Sequence, residues 1–502
     1  MELFGTAGVR GRVEERVTPE LALAVGRAVA AEARELEAAT DDEGVPEVVL
    51  ARDGRVSGPA IAAAAEAGLA SGGARVSRAG RLPTPALAHA SRGRYGVMLT
   101  ASHNPPSDNG IKLFRDGVEF DRDLERAIEA RVAAEEPPAT WDAWTEPDRI
   151  DTLHDYLRDV REYAATFEGG DAGTDDPLDG LRIAVDCGNG MAAPATPTVL
   201  RELGATAVTL NGNVDGHFPG RGSKPTPETL RDLRAFVADA NAGVDEPGRA
   251  GEGFAFGIGH DGDADRIVVV DADGEVVHED TVLAILAERY VRASDVADPV
   301  VVTTPNASGR IDERVRAAGG RVERVRLGAL HEGIAAVRAE AESGADGDVE
   351  DGSDAAGPDS AGESEVVFAA EPWKHVHTAF GGWIDGVCSA AVIAELVAAE
   401  GLGSLREPVT ERPYRKVSVD CPDGRKGRVM ERLTERLPAA FENASVDTDH
   451  GVRLEFPDAS WTLVRPSGTE PYVRVYAESD DVDELVEAVR EVVEAAVTEA
   501  GN

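Results

Sequence analysis

Short apolar strands alternate with amphipathic helix signals through the first three hundred or so residues, and this alternation restricts the possible folds more than any other feature of the chain. Thr18-Pro19-Glu20 opens a helix to about Ala38, with a hydroxyl cap, proline at the first helical position and an acid in the first turn. Val48 to Ala51 reads as a strand, Pro59 to Leu69 as a helix, and Gly73-Ala74-Arg75-Val76 leads another strand. Tyr95 to Thr100 is a further strand, running straight into Ala101-Ser102-His103-Asn104-Pro105. The pattern repeats with strand Leu181 to Val185, a helix from about Ala193 to Leu203, and strand Thr206 to Leu210. Phe254 to Ile258 and Ile267 to Val270 then flank an aspartate-rich loop. A third unit starts with a helix from Thr281 to about Val291 and the strand Val300 to Thr304, which Pro299 leads. Such alternation implies α/β domains with mixed, largely parallel sheets.

The end of the chain has a different rhythm. Val417 to Val419, Trp461 to Val464 and Val473 to Tyr476 read as strands. After Asp481, Val482, Leu485, Val486, Val489, Val492 and Val493 recur at helical spacing. This suggests a separate α+β domain. At about 100–200 residues per domain, the expected division is four: 1–160, 170–278, 279–405 and 412–502. The Gly/Asp-rich stretch Glu168 to Asp179 reads as a linker. Ala341 to Glu365 is acidic and poor in large apolar residues, and is expected to be a disordered surface insertion.

Charge narrows the function classes. There are 93 acids against 51 bases, a net charge of −42. Nucleic-acid binding needs a basic footprint, and anionic membranes would repel the chain, so neither partner is expected. No apolar run approaches the ~20 residues of a membrane span, and Met1-Glu2-Leu3-Phe4 has no leader-like pattern, so a cytoplasmic location is expected. Cys187, Cys388 and Cys421 are far apart and form no disulfide framework. Only five bases are lysines. With the acidity, this reads as salt adaptation (a halophilic type), since molar salt shortens the Debye length to about 3 Å. Self-repulsion at this charge resists association, and a monomer or weak homodimer is expected.

Three segments carry chemistry. Asp261-Gly262-Asp263-Ala264-Asp265-Arg266 sets carboxylates at alternate positions between two strands, where they can converge on a hard cation such as Mg²⁺. A solvated acidic turn competes with this reading. A calcium loop does not, because Arg266 and Ala272 stand where it needs Gly and Glu. Asp271-Ala272-Asp273-Gly274 reads as a plain hairpin turn. Ser102 follows a strand's C-terminal end, where nucleophiles are often placed, with His103 beside it and Lys112 ten residues on; an incidental Asn-Pro turn is the alternative. No G-x-S-x-G elbow surrounds Ser102, as a serine hydrolase would require. Arg465-Pro466-Ser467-Gly468-Thr469-Glu470-Pro471, with Arg474, offers guanidinium and hydroxyl donors to an anion, or forms an ordinary turn between strands. Cys187-Gly188-Asn189-Gly190-Met191-Ala192-Ala193 matches a loose dinucleotide fingerprint. Its next strand closes on Leu210-Asn211-Gly212 without the required acid, so a tight strand-to-helix turn is the better reading.

Taken together, these segments resemble the α-D-phosphohexomutase family. Four signatures occur in the family's order: Phe4-Gly5-Thr6-Ala7-Gly8-Val9-Arg10-Gly11, Thr100 to Pro105, Asp261 to Arg266, and Arg465 to Pro471. The resemblance implies a heart-shaped enzyme with three related α/β domains, a C-terminal α+β domain and a central cleft. It implies a phosphoserine at Ser102 and one Mg²⁺ on Ser102, Asp261, Asp263 and Asp265. Arg10, His103, Lys112 and Arg266 would act around the reacting phosphate. Arg465, Ser467, Gly468, Thr469 and Arg474 would hold the other phosphate, with a hexose 1,6-bisphosphate as intermediate and activator.

The sugar-reading loop departs from the family's pattern. Ala370-Glu371-Pro372-Trp373-Lys374-His375 keeps Glu371 and His375 but replaces the small residues between them. Glu371, Trp373 and His375 are the sugar-binding expectations, while Lys374 either contacts phosphate or faces solvent. Arg326, in Val325-Arg326-Leu327-Gly328, stands where the family usually has lysine. A guanidinium is a poor proton acceptor, so an acid–base role would move to His103 or His375. The leading expectation is interconversion of glucose or mannose 1- and 6-phosphates. Glucosamine phosphate is the alternative, with which Asn109-Gly110-Ile111-Lys112 is compatible; a pentose phosphate ranks lower, and a non-catalytic sugar-phosphate sensor is the reading from another class.

Overall fold

The computed structural model describes residues 3–5, 8–39, 44–167, 176–244, 247–248, 252–345, 364–467 and 470–500. They fall into two compact units. Residues 1–279 with 373–405 form the first, and residues 280–372 with 406–502 the second.

The first unit holds a seven-stranded mixed sheet. Its main path runs Val9–Arg12, Asp108–Arg115, Tyr95–Leu99, Glu47–Arg52, Arg75–Arg81 and Asp148–Arg149; Val118–Glu119 pairs on Asp108–Arg115. Glu47–Arg52 lies parallel to both Arg75–Arg81 and Tyr95–Leu99, whereas Asp108–Arg115 runs antiparallel to its neighbours. Helices Pro19–Ala39 and Gly58–Ser71 pack closely together, their contact tightened by Gly26 and Gly68. The expected linker is partly fold: Leu178 is buried and its N–H donates to the Leu203 carbonyl at 2.8 Å. Residues 168–175 lie outside the described set.

A second sheet of this unit orders Ile267–Val270, Phe256–His260, Arg182–Asp186 and Thr206–Leu210. The helix expected from Ala193 begins later, at Thr196, and ends at Glu202. Pro197 sits in its first turn, where a missing N–H costs no helical bond. The expected turn at Asp271 to Gly274 is there, closed by the Gly274 N–H on the Asp271 carbonyl. Helix Gly386–Glu400 packs on helix Leu153–Ala165. Its sequence, GVCSAAVIAELVAAE, is apolar all round, as a buried helix requires.

In the second unit, Arg321–Arg324, Asp298–Thr303 and Ser364–Glu371 run parallel. Helix Leu330–Ala345 extends into the segment expected to be an insertion, and strand Ser364–Glu371 begins before its expected end. Ile334 and Val337 are buried on this helix, which carries it beyond the compositional boundary. The rest of that insertion, residues 346–363, lies outside the described residues. A five-stranded antiparallel sheet follows, ordered Tyr414–Asp420, Tyr472–Glu478, Trp461–Pro466, Val452–Glu455 and Ser445–Asp447. Helices Asp423–Ala440 and Val482–Glu499 cover it over a core of Val429, Leu433, Val475, Val489 and Val493. Among the described residues, no helix is long and apolar enough to cross a membrane.

Candidate active site

Two loops of the first unit, far apart in sequence, meet at Ser102. One leaves strand Tyr95–Leu99; the other joins strands Phe256–His260 and Ile267–Val270. Ser102 Oγ donates to Asp261 Oδ2 at 2.7 Å, and both residues are fully buried. The loops touch backbone to side-chain position: a Cβ on Gly262 would stand 2.6 Å from the Ser102 carbonyl oxygen, so only glycine fits. Ser102 (φ 49°) and Ala264 (φ 62°) both hold left-handed backbone, a strain of order 1 kcal/mol that concentrates at functional sites.

The three aspartates converge. Ligand atoms of Asp261, Asp263 and Asp265 lie within 4.8 Å of one another, and all three side chains are buried. Thr84 Oγ1 donates to Asp263 Oδ2 at 2.6 Å and its N–H to the Asp263 carbonyl at 3.0 Å. Asp263 Oδ1 and Asp265 Oδ1 have no hydrogen-bond partner among the described residues. Burial, then Asp265 and Asp263, push the Asp261 carboxyl well above the usual range. Carboxylates this close cannot all stay ionised cheaply without a cation. An all-oxygen donor set with two uncommitted atoms suits a hard divalent ion.

Cations surround the triad. Lys112 Nζ lies 3.0 Å from Asp265 Oδ2 and 3.4 Å from Glu119 Oε1. Burial opposes its charge, but Asp265 and Glu119 outweigh that and raise its affinity for a proton. Asp265 is held below the usual carboxylate range: burial works against this, and Lys112, Arg266 and Lys374 overcome it. Arg266 Nε is 3.8 Å from both Asp261 and Asp265. Lys374, which the sequence leaves between phosphate and solvent, thus acts electrostatically on Asp265. Arg10 lies opposite Gly110 in the sheet and acts on both Lys112 and His103. His103 Nδ1 is 3.3 Å from Ser102 Oγ; burial first, then Arg266 and Arg10, push this imidazole down to about 3, leaving it neutral at neutral pH.

The glycine-rich turn after Asp186 supports the site. A Cβ on Gly190 would stand 2.7 Å from the Gly262 carbonyl, to which the Met191 N–H donates at 3.0 Å. Buried Arg221 donates to Asp186 Oδ2 at 2.8 Å and to the His260 carbonyl at 2.6 Å. The turn read as a strand-to-helix connection is therefore packed against the aspartate loop.

Sugar-loop residues are divided. Trp373 (φ 68°) packs partly against the core of Leu230, Leu233, Val237 and Phe254, and its carbonyl accepts from the Ile267 N–H. His375 is buried, with Nδ1 3.0 Å from Ser389 Oγ; His377 Nε2 reaches the same hydroxyl at 2.8 Å. In the second unit, the Gly328 N–H donates to Glu371 Oε1, and Arg326 pairs with Glu332 at the surface.

The second unit carries a further cationic cluster. Arg465 and Arg474 are direct cross-strand partners. Like charges so placed are destabilising unless an anion bridges them. Arg465 Nη2 donates to Tyr476 Oη at 2.9 Å, and Arg474 Nη2 to Tyr472 Oη at 2.7 Å. Both Nε groups lack hydrogen-bond partners among the described residues. Lys426 donates to the Ser467 and Glu470 carbonyls, each at 2.6 Å, fastening the loop. Ser467 is buried, whereas Gly468 and Thr469 lie outside the described residues. The five lysines now have a pattern. Lys112, Lys224 and Lys374 act on groups around Ser102, and Lys416 and Lys426 sit beside the arginine cluster. The spacing of these lysines in sequence carries no such signal.

Comparison with known proteins agrees with this architecture. Residues 1–139 match the family description phosphoglucomutase/phosphomannomutase, alpha/beta/alpha domain I. Residues 155–274 match domain II, and 417–495 the C-terminal domain. The chain is 38% identical to a phosphopentomutase of Thermococcus kodakarensis, covering 100% of this chain and 99% of that protein. It is 37% identical to a probable phosphoglucosamine mutase of Methanopyrus kandleri, over 98% of each. The fold also matches a phosphoglucomutase/phosphomannomutase family protein of Burkholderia thailandensis, with a TM-score of 0.77, 24% identity, and coverage of 99% of this chain and 97% of that one. The chain belongs to the phosphoglucomutase/phosphomannomutase family, the α-D-phosphohexomutases. It is an intramolecular phosphotransferase of that type.

Proposed function

We propose that the chain moves a phosphoryl group between two oxygens of one sugar phosphate, with Ser102 as the carrier. The observation that supports this most is the 2.7 Å hydrogen bond from Ser102 Oγ to Asp261 in a triad of buried carboxylates. Asp261, Asp263 and Asp265, with an oxygen of the Ser102 phosphate, would hold one Mg²⁺, which when bound neutralises charge on the phosphoryl oxygens. Everything else falls to the chain's own groups. In the first half-reaction the Oγ–P bond breaks as a P–O bond forms to a sugar hydroxyl, whose proton ends on the released Ser102 Oγ. In the second, Ser102 Oγ takes the phosphoryl from the sugar's other phosphorylated oxygen, and the serine proton ends on that oxygen. His103, neutral and 3.3 Å from Oγ, exchanges the serine proton. Lys112, Arg10 and Arg266 stabilise charge spread over the transferring oxygens.

The intermediate is a sugar bisphosphate, hexose 1,6-bisphosphate in the leading reading, and a trace of it would keep Ser102 phosphorylated. Arg465, Ser467, Gly468, Thr469 and Arg474 would grip the phosphate that is not reacting; Glu371, and beside it Trp373 and His375, belong to the sugar-reading segment. Interconversion of glucose or mannose 1- and 6-phosphates is the leading reading. The names of the full-length relatives support a second reading, a glucosamine or pentose phosphate. A coupled assay in high KCl with Mg²⁺ decides between them. It compares glucose, mannose, glucosamine and ribose 1-phosphates, each with a trace of its bisphosphate. The fastest sugar names the substrate, and inorganic phosphate released in place of isomer would overturn the mutase reading.

A further inference from the structure

Arg55 is fully buried, and all five of its guanidinium N–H groups have partners. Nε donates to Asp53 Oδ2 at 3.0 Å. Nη1 donates to the carbonyls of Pro105 at 2.6 Å and Asp108 at 2.9 Å. Nη2 donates to the carbonyls of Ser102 at 2.9 Å and Asn104 at 2.8 Å. Four of the five bonds therefore end on the segment Ser102 to Asp108, the loop that carries Ser102 and the first residue of the strand that follows it. The Phe218 ring lies 5.2 Å from the guanidinium carbon and covers it.

Asp53 orients this group and reaches the same loop by another route. Its Oδ1 accepts from the Arg55 N–H at 2.9 Å, and its Oδ2 from Thr100 Oγ1 at 2.8 Å. Thr100 Oγ1 in turn accepts from the Ser102 N–H at 2.8 Å. The Ser102 residue is held on both sides: its N–H by Thr100 and its carbonyl by Arg55. This is the residue whose left-handed backbone is strained, and such strain persists only where the surroundings over-determine it. A lysine at position 55 has three donors from one point and cannot span four carbonyls.

We propose that Arg55 is the positioning residue of the phosphoryl-carrying loop, setting Ser102 for transfer through the carbonyls of Ser102, Asn104, Pro105 and Asp108, with Asp53 orienting it. Arg55 is buried with every guanidinium N–H committed to the protein, so it has no donor left for substrate. The inference rests on the reading of Ser102 as the phosphoryl carrier.

The test uses the full chain in KCl with Mg²⁺ and compares R55K, R55A and D53N with wild type and S102A. Displacing a reacting group by about 1 Å costs on the order of 10²-fold in rate. R55K and R55A should therefore lose about that much kcat per folded molecule, with KM for the sugar phosphate within about threefold of wild type. Phosphorylation of Ser102 by sugar bisphosphate, followed by intact mass, should slow in parallel, with D53N showing a smaller loss. Guanidinium chloride well below denaturing concentration should restore part of the R55A rate and none of the S102A rate. If R55A fails to fold, R55K and D53N carry the same test. Wild-type kcat per folded molecule in R55K, or loss that only tracks the unfolded fraction without a guanidinium response, overturns the proposal. An active S102A would instead overturn the reading beneath it, while an inactive S102A beside normal Arg55 variants would sink this inference alone.

Discussion

Ser102 and Asp261 are 159 residues apart in sequence, yet the serine hydroxyl donates to the aspartate at 2.7 Å, inside a pocket of carboxylates ringed by lysine and arginine. Replacing Ser102 should separate folding from chemistry. S102A removes one hydroxyl at a fully buried position and should unfold within a few degrees of wild type, while isomerisation falls by at least about 10³-fold. Thermal unfolding and the coupled assay on one preparation check both halves.

The aspartate triad predicts a reversal of stability order. Without a divalent ion, Asp261 faces Asp263 and Asp265 with its carboxyl pushed far up by burial and by both neighbours. D261N relieves that repulsion, so in EDTA it should be more stable than wild type by roughly 1–3 kcal/mol. In millimolar Mg²⁺ the order should invert, because the variant has lost a ligand. Urea unfolding under the two conditions checks the crossing.

The arginine pair predicts a binding defect. A charge-assisted hydrogen bond contributes about 1.5–3 kcal/mol. R465M or R474M should therefore raise KM for the sugar phosphate by about 10- to 100-fold with a smaller fall in kcat. Since Arg465 and Arg474 are direct cross-strand partners, added phosphate should stabilise wild type against unfolding, and each variant should lose that stabilisation.

Buried histidines set an acid limit. His375 is pushed down to about 3 by burial, and His377 lies well below its ordinary value for the same reason, with His375 adding to it. Their folded affinity for protons is lower than the unfolded one, so the unfolded chain binds more protons in acid. Stability from these groups is present above the unfolded value of about 6.5 and falls as pH drops towards 3, by about 1.4 kcal/mol per pH unit for each group that titrates. Asp385, pushed up to about 6 by burial, opposes this over part of the window. Unfolding free energies from pH 7 to 4 should fall less steeply in H375Q/H377Q than in wild type.

What the sequence shows of this site depends on whether its partners are close along the chain. Asp261, Asp263 and Asp265 are legible because their spacing alone places three carboxylates in one turn between two apolar strands. Arg465 and Arg474 are legible as donors, but not as cross-strand partners. The strand Asp108–Arg115 is hidden by its opening Asp-Asn-Gly, which carries turn signals, although Gly110 is needed there for close approach of the neighbouring strands. Asp53 and Arg55 are hidden differently. In a chain with 144 charged residues, one more Asp-x-Arg carries no mark, and only the fold brings it beneath the Ser102 loop. The direction of Lys374 and the packing of Trp373 are likewise set by tertiary neighbours.

The most direct test is to follow one phosphoryl group. The enzyme is labelled with radioactive sugar bisphosphate, the labelled peptide is identified, and the label is then chased with unlabelled sugar monophosphate. The account predicts label on Ser102 and its transfer to the sugar at a rate compatible with turnover. Label on another residue, or its loss to water as inorganic phosphate without appearing in the sugar, would contradict it.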